Sequence, residues 1–258
     1  MIAFAIGSHP DDIEFMMGGT LLLLKERGCE IHYMNIANGS CGTQIHAKEE
    51  IIRIRREESM RAAAHADAVY HESIVDDLAV FYSQDLISRV AAEVREVKPD
   101  IVLTLSLLDY MEDHMNAARI AVTALFVRGM RNYETSPPRP PILKDTALYH
   151  ALPYGLTDMI RRPVVPEFYV DVTSVIDRKS EFLSRHASQK DWLDKSQGLD
   201  SYLIAMREMS RKVGAMSGRL EYAEGWRRHS HLGYAATDIN PLQDLLGSLY
   251  IPETKNCL

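Results

Sequence analysis

The apolar positions of this chain fall into two alternating kinds of run. Short unbroken runs, such as Ile2-Ala3-Phe4-Ala5-Ile6 and Ile101-Val102-Leu103-Thr104-Leu105, have the length and composition of strands buried on both faces. Longer stretches with helical spacing lie between them. In the first, Ile13, Met16, Met17, Thr20, Leu21 and Leu24 fall at i, i+3, i+4, i+7, i+8 and i+11, one face of a helix. The same pattern predicts strands over Glu30 to Ala37, from Val69, over Ala147 to Leu152 and over Phe168 to Val172. It predicts helices over Ala47 to about Ala66, over Gln84 to Val97 behind an N-cap at Ser83, and from about Met115. Thr173 or Ser174 is expected to cap a helix running towards His186, and a last helix spans Leu199 to Val213 until Gly214 to Gly218 break it. The tail to Leu258 is weakly patterned. Strands that alternate with helices predict an α/β fold with a mostly parallel sheet.

Polar residues matter most at two strand-to-helix junctions, where open α/β sheets build their sites. The first strand runs into Gly7-Ser8-His9-Pro10-Asp11-Asp12. Pro10 biases His9 towards extended geometry, so His9 ends the strand while Asp12 opens the helix. An imidazole and a carboxylate aimed at one point suit a divalent ion such as zinc. Asp11 or Asp12 acting as a helix cap is the competing explanation. The second junction, Asp109-Tyr110-Met111-Glu112-Asp113-His114, offers a third ligand. If the two strands are neighbours, His9, Asp12 and His114 form a His₂Asp set with open positions, the arrangement of a catalytic zinc. Asp11 is then left to act as the base that takes a proton from the attacking water.

These residues carry a family resemblance. Ser8-His9-Pro10-Asp11-Asp12 followed by Gly18-Gly19-Thr20 resembles the opening of the LmbE/PIG-L family of metal-dependent N-deacetylases. Gly39-Ser40-Cys41-Gly42-Thr43 resembles its Gly-rich loop, Arg55-Arg56-Glu57-Glu58 its Arg-Arg…Glu helix, and His186-Ala187-Ser188-Gln189 its His-x-Ser-Gln segment. Tyr222-Ala223-Glu224-Gly225-Trp226-Arg227 is similar to its C-terminal motif. The resemblance covers nearly the whole chain. It implies one domain over residues 1–258, a Rossmann-like three-layer sandwich, and zinc as cofactor. It further implies substrate-pocket roles for Arg55 and Asp77, and an N-acylated amino sugar or related small conjugate as substrate. Oligomeric members complete a neighbour's site with C-terminal residues, which extends homo-oligomer formation to this chain as an expectation. One position departs from the family. Where His-Pro-Asp-His is usual, this chain has Met111-Glu112-Asp113-His114. The missing histidine serves the oxyanion or the leaving group, and a thioether can do neither. His229 or His231 is a candidate replacement.

Composition narrows the partners. The 258 residues are 46% hydrophobic with a formal net charge of −7, which does not favour nucleic acid. No apolar stretch is long enough to span a bilayer, and Met1-Ile2 lacks the basic lead of a signal peptide. Cys29, Cys41 and Cys257 show no paired spacing, so reduced thiols and a cytoplasmic protein are expected. Other readings are a non-haem Fe(II) oxygenase, since its facial triad is also His₂-carboxylate, and a metal-binding family member that has lost catalysis. A nucleotide-binding Rossmann domain is disfavoured, because Gly39-Ser40-Cys41-Gly42 lacks Gly-x-Gly-x-x-Gly spacing.

Overall fold

The computed structural model of the protein describes residues 1–189 and 201–254. Its elements are β1 (Ile2–Gly7), α1 (Asp12–Glu26), β2 (Glu30–Asn35), α2 (Lys48–His65), β3 (Ala68–His71), α3 (Gln84–Val97), β4 (Ile101–Thr104) and α4 (Glu112–Phe126). They continue with β5 (Ala147–Ala151), β6 (Phe168–Asp171), α5 (Ile176–Leu183), α6 (Ser201–Met216), β7 (Ala223–Arg228), α7 (Pro241–Leu246) and β8 (Tyr250–Pro252). All eight strands belong to one sheet, in the order β3-β2-β1-β4-β5-β7-β6-β8. The five strands from β3 to β5 run parallel, and the last three are antiparallel to their neighbours. The β3-β2-β1-β4-β5 half is the doubly wound arrangement expected from alternating strands and helices.

The central strands are apolar throughout because both faces are covered. Ala3 to Ile6 of β1 and Ile101 to Leu103 of β4 have no exposed surface. β1 touches α1 and α4, while α1 packs against α5 and α4 against α3. The helices therefore form a layer on each face. Pairing of β1 with β4, with Ile6 opposite Thr104, sets the two polar junctions side by side at the strands' C-terminal edge.

Three local expectations change. Neither Thr173 nor Ser174 caps α5 through its side chain; a 3-10 turn over Thr173–Val175 leads into that helix instead. α6 continues through Gly214 to Met216. A Cβ at 214 would sit 2.6 Å from the Glu221 carbonyl oxygen, so that glycine permits a close approach rather than a break. The weakly patterned tail supplies α7 and the edge strand β8, too short to announce themselves by periodicity.

A buried carboxylate of β7 helps to fasten the C-terminal half to α1. Glu224 of β7 accepts hydrogen bonds from Gly19 N (2.7 Å), Thr20 N (2.8 Å) and the Thr20 hydroxyl (2.6 Å). It also faces Lys179 Nζ at 2.7 Å, with both side chains almost fully buried. Trp226 Nε1 donates to the same Thr20 hydroxyl at 3.1 Å. Gly19 is required here, since a Cβ would stand 2.6 Å from Val172 Cγ1. Glu224→Ala would strand the Lys179 ammonium in the interior and is expected to cost about 3–5 kcal/mol. A urea unfolding midpoint equal to that of the wild type would refute the fastening role.

Candidate metal centre and pocket

The turn between β1 and α1 is shaped by its two carboxylates in different ways. Asp11 occupies the N-cap position with φ 103°, ψ −24°, yet its side chain makes no capping hydrogen bond. Holding a non-glycine residue in this region costs about 1–3 kcal/mol, so the surroundings enforce it. Asp12 does not cap either. Its Oδ2 accepts hydrogen bonds from Ser8 N (3.2 Å) and His9 N (2.7 Å), which turns Oδ1 towards His114 Nε2 at 3.2 Å. The capping explanation of the Asp-Asp pair does not hold in this structure.

His9, Asp12 and His114 each offer a ligand atom, all within 4.8 Å of one another. Behind each histidine stands a carboxylate. His9 Nε2 lies 3.0 Å from Asp113 Oδ2, and His114 Nδ1 lies 3.2 Å from Asp109 Oδ2. The opposite nitrogens, His9 Nδ1 and His114 Nε2, lie 3.5 and 3.2 Å from the Asp12 carboxylate. Such carboxylate–histidine pairs fix ring orientation and tautomer in metal sites. Asp113 is itself held by Leu78 N at 2.7 Å, and Asp109 Oδ1 accepts Met111 N at 3.1 Å. This donor set fits a divalent ion that accepts nitrogen and oxygen, as zinc does.

Without an ion, the cluster stabilises protons on its imidazoles. Burial lowers the pKa of His9, but the facing Asp113 and Asp12 outweigh it and lift it to about 9. Burial likewise opposes charge on His114, and Asp12 and Asp109 outweigh it and raise its pKa well above the usual value. The same pairing holds Asp12 well below the usual carboxylate range, against the upward push of burial.

Asp11 points to a different set of partners. Burial raises its pKa and the neighbouring Arg55 opposes that rise. Arg55 Nη2 lies 3.4 Å from Asp11 Oδ2 and also donates to the Pro10 carbonyl, while Nη1 donates to Gln189. The guanidinium is 2% exposed. Gly39, at φ +79°, lets the loop lie across it, since a Cβ there would approach Arg55 Cγ and Nε to 2.9 Å. The Tyr202 phenol is a further polar neighbour of Asp11 and lowers its pKa against the effect of burial. Asp77 binds the same loop with both oxygens, accepting Gly39 N at 2.7 Å and Cys41 N at 2.8 Å. Arg55 and Asp77, expected as substrate-pocket residues, both line the pocket, but each is engaged in holding the loop or the Asp11 turn.

The pocket has a volume of about 370 Å³, within the usual range for small-molecule sites. His9, Asp11, Asp12 and His114 line it together with Phe15, Tyr110, Met111, Tyr154 and Tyr202. His150, His229 and His231 of the same chain do not line it. His150 binds the Leu105 carbonyl and His229 Nδ1. His186 is fully buried against Glu14 at 2.9 Å. The supporting role of Asp109 and the contact of Tyr202 with Asp11 were not predicted. Asp109 carried a weak signal, as an acidic residue five before the candidate ligand.

Comparison with known proteins follows this geometry. Residues 4–125 match the family model described as PIG-L: GlcNAc-PI de-N-acetylase. The chain is 27% identical over 228 residues to the diacetylchitobiose deacetylase of Thermococcus kodakarensis, covering 86% of this chain and 80% of that one. It is 28% identical over 236 residues to the 4-oxalmesaconate hydratase of Pseudomonas putida, covering 86% and 87%. Among solved structures, N,N'-diacetylchitobiose deacetylase from Pyrococcus horikoshii superposes with a TM-score of 0.73 at 23% identity, over 93% of this chain and 88% of that one.

Two outcomes test the metal centre. Asp109→Asn and Asp113→Asn should each weaken zinc binding about 10–100-fold, measured by competition with a chromogenic chelator; His9→Ala, Asp12→Ala and His114→Ala should abolish it. Zinc must also displace the proton that Asp113 and Asp12 keep on His9 up to about pH 9. Apparent affinity should therefore climb as pH rises from 6 to 9. A pH-independent affinity would mean that His9 is not a ligand.

Proposed function

We propose, on the premise that residues 4–125 form a PIG-L family domain, that this protein is a zinc-dependent hydrolase. In this reading it removes an N-acyl group, most simply acetyl, from an amino sugar or a related small-molecule conjugate. The observation that carries it is Asp11: a buried carboxylate held in a strained backbone conformation without a capping bond, beside the His9–Asp12–His114 donor set and facing the pocket.

Those three residues would hold the ion, which when bound supplies Lewis acidity for the acyl carbonyl and for the attacking water. The protein's own groups do the rest. Asp11 accepts the proton released as water attacks the carbonyl carbon. Arg55 and Tyr202 hold its carboxylate in place. Asp11 then returns that proton to the departing amine, so one carboxyl group serves both steps. Tyr110 follows Asp109 on the same turn, with its ring 5.8 Å from that of His114, and lines the pocket. Burial raises its pKa, and the Asp12 charge adds to this, so its hydroxyl stays protonated as a donor to developing oxyanion charge. Tyr110 thereby covers the function that Met111 cannot perform.

The hydratase relative supports a second reading. Adding water across a double bond needs the same ion and base but no protonated leaving amine, and Met111 is compatible with that. An Fe(II) oxygenase is not supported by the fold, because the sheet is open and carries its donors at one strand edge rather than inside a β-barrel.

Asp11→Asn can occupy the same backbone region, since asparagine tolerates positive φ, but it cannot take a proton. It should retain zinc while amine release from N-acetylated sugars falls about 10²–10⁴-fold. Wild-type turnover in that variant would remove Asp11 from the chemistry. Because burial raises the Asp11 pKa and only its carboxylate form accepts a proton, activity should be lost as pH falls through that raised value. Release of amine by the wild type under none of these conditions, with water addition to an unsaturated acid instead, would favour the hydratase reading.

A further inference from the structure

The pocket lining combines two chemistries. Beside the acidic and histidine residues runs a row of aromatic rings, with Tyr110 5.8 Å from the His114 ring. The Phe15 ring lies 5.4 Å from Tyr154, edge to face, and 5.7 Å from Tyr202. Tyr110 extends the row, 6.0 Å from Tyr154, and Met111 adds an apolar thioether beside it. This wall reaches the surface: Tyr110 is 50% and Tyr154 41% exposed. Large apolar side chains held half-open at the mouth of a pocket mark a surface that a ligand covers.

The charges of the pocket point the same way. Among the described residues that line it, Arg55 is the single lysine or arginine. It is buried and already engaged by Asp11, Pro10 and Gln189. Asp11, Asp12 and Asp77 add negative charge. Among the described residues, no free guanidinium or ammonium lines the pocket to meet a phosphate or carboxylate, so an anionic substituent would lose its hydration without gaining a partner from them.

We propose, granted the hydrolase reading, that the substrate's N-acylated unit carries an uncharged aromatic or alkyl substituent that lies on the Phe15–Tyr110–Tyr154–Tyr202 wall. Phosphate or carboxylate at that position is selected against. The site is thus built for an apolar conjugate of an N-acyl amine rather than for a free or phosphorylated sugar.

Three matched probes test this: N-acetylglucosamine, its phenyl β-glycoside and its 1-phosphate. Binding is measured by calorimetry to zinc-loaded Asp11→Asn protein, so that turnover does not interfere. The phenyl glycoside should bind about 10–100-fold more tightly than the free sugar, the gain expected from burying and stacking one ring. The 1-phosphate should bind no better than the free sugar. Tyr154→Ala should erase most of the phenyl advantage while the affinity for free sugar stays the same. Equal affinity for all three probes, tightest binding of the phosphate, or binding of none overturns the proposal. Acetate release from the same probes by the wild type reports separately on the hydrolase reading. A phenyl preference in binding without any acetate release would leave the apolar wall standing and remove the hydrolase.

Discussion

A carboxylate buried between two imidazoles governs this structure. Asp12 is 6% exposed and would be costly to ionise alone. It is compensated by two backbone amides from its own turn and by His9 and His114. Those histidines bring Asp113 and Asp109 with them, so the cluster holds more negative than positive charge once the imidazoles are neutral. A divalent cation is the natural complement to that excess. The same surplus explains why Arg55 is buried beside Asp11, and why the loop crossing Arg55 has a glycine at its closest approach.

The demand for compensation links distant parts of the chain. Arg55 and Glu58 lie one turn apart on α2. Arg55 donates to Gln189, and Glu58 accepts Ser188 N at 2.8 Å and the Ser188 hydroxyl at 2.7 Å. The Arg-Arg…Glu and His-x-Ser-Gln segments are thus two halves of one contact. Glu224 does the same for the C-terminal motif, meeting Gly19 and Thr20 of the first. Each pairing buries a charged group against backbone amides or hydroxyls. Removing one partner therefore costs much more than the net strength of the contact.

The sequence made the scaffold and the candidate metal ligands legible for a simple reason. Strands buried on both faces read as unbroken apolar runs, and polar residues at their ends stand out against them. His9, Asp12 and His114 stood out in this way, and the pairing of β1 with β4 brings them together. The roles of neighbouring residues depended on contacts that no local pattern encodes. For Asp11, helix capping competes with the base role in the sequence, and its φ and missing capping hydrogen bond speak against the cap. Tyr202 lies 191 positions after Asp11 in the numbering, and only the packing of α6 brings it there. By spacing alone, Arg55 is one charge among several on α2. Arg53 and Glu57 do form such a pair at 3.0 Å, while Arg55 turns inward, and an i,i+4 pattern cannot tell the two apart.

Met111 is where these physical constraints bear on chemistry. Its thioether, unlike an imidazole, can neither carry a charge nor donate a hydrogen bond. It takes no part in the electrostatic balance around Asp12. In the proposed reaction, proton transfer falls to Asp11, whose carboxyl pKa is raised by burial and lowered by Arg55. The exchange also changes the pocket's surface: methionine is soft and apolar, and it continues the wall that Phe15, Tyr110 and Tyr154 begin. Losing one donor and gaining apolar area are thus a single substitution with two effects. In the proposed reading, a chain that keeps the candidate ion site and base, yet presents an apolar surface beside them, retains the means of activating water while altering what that water meets.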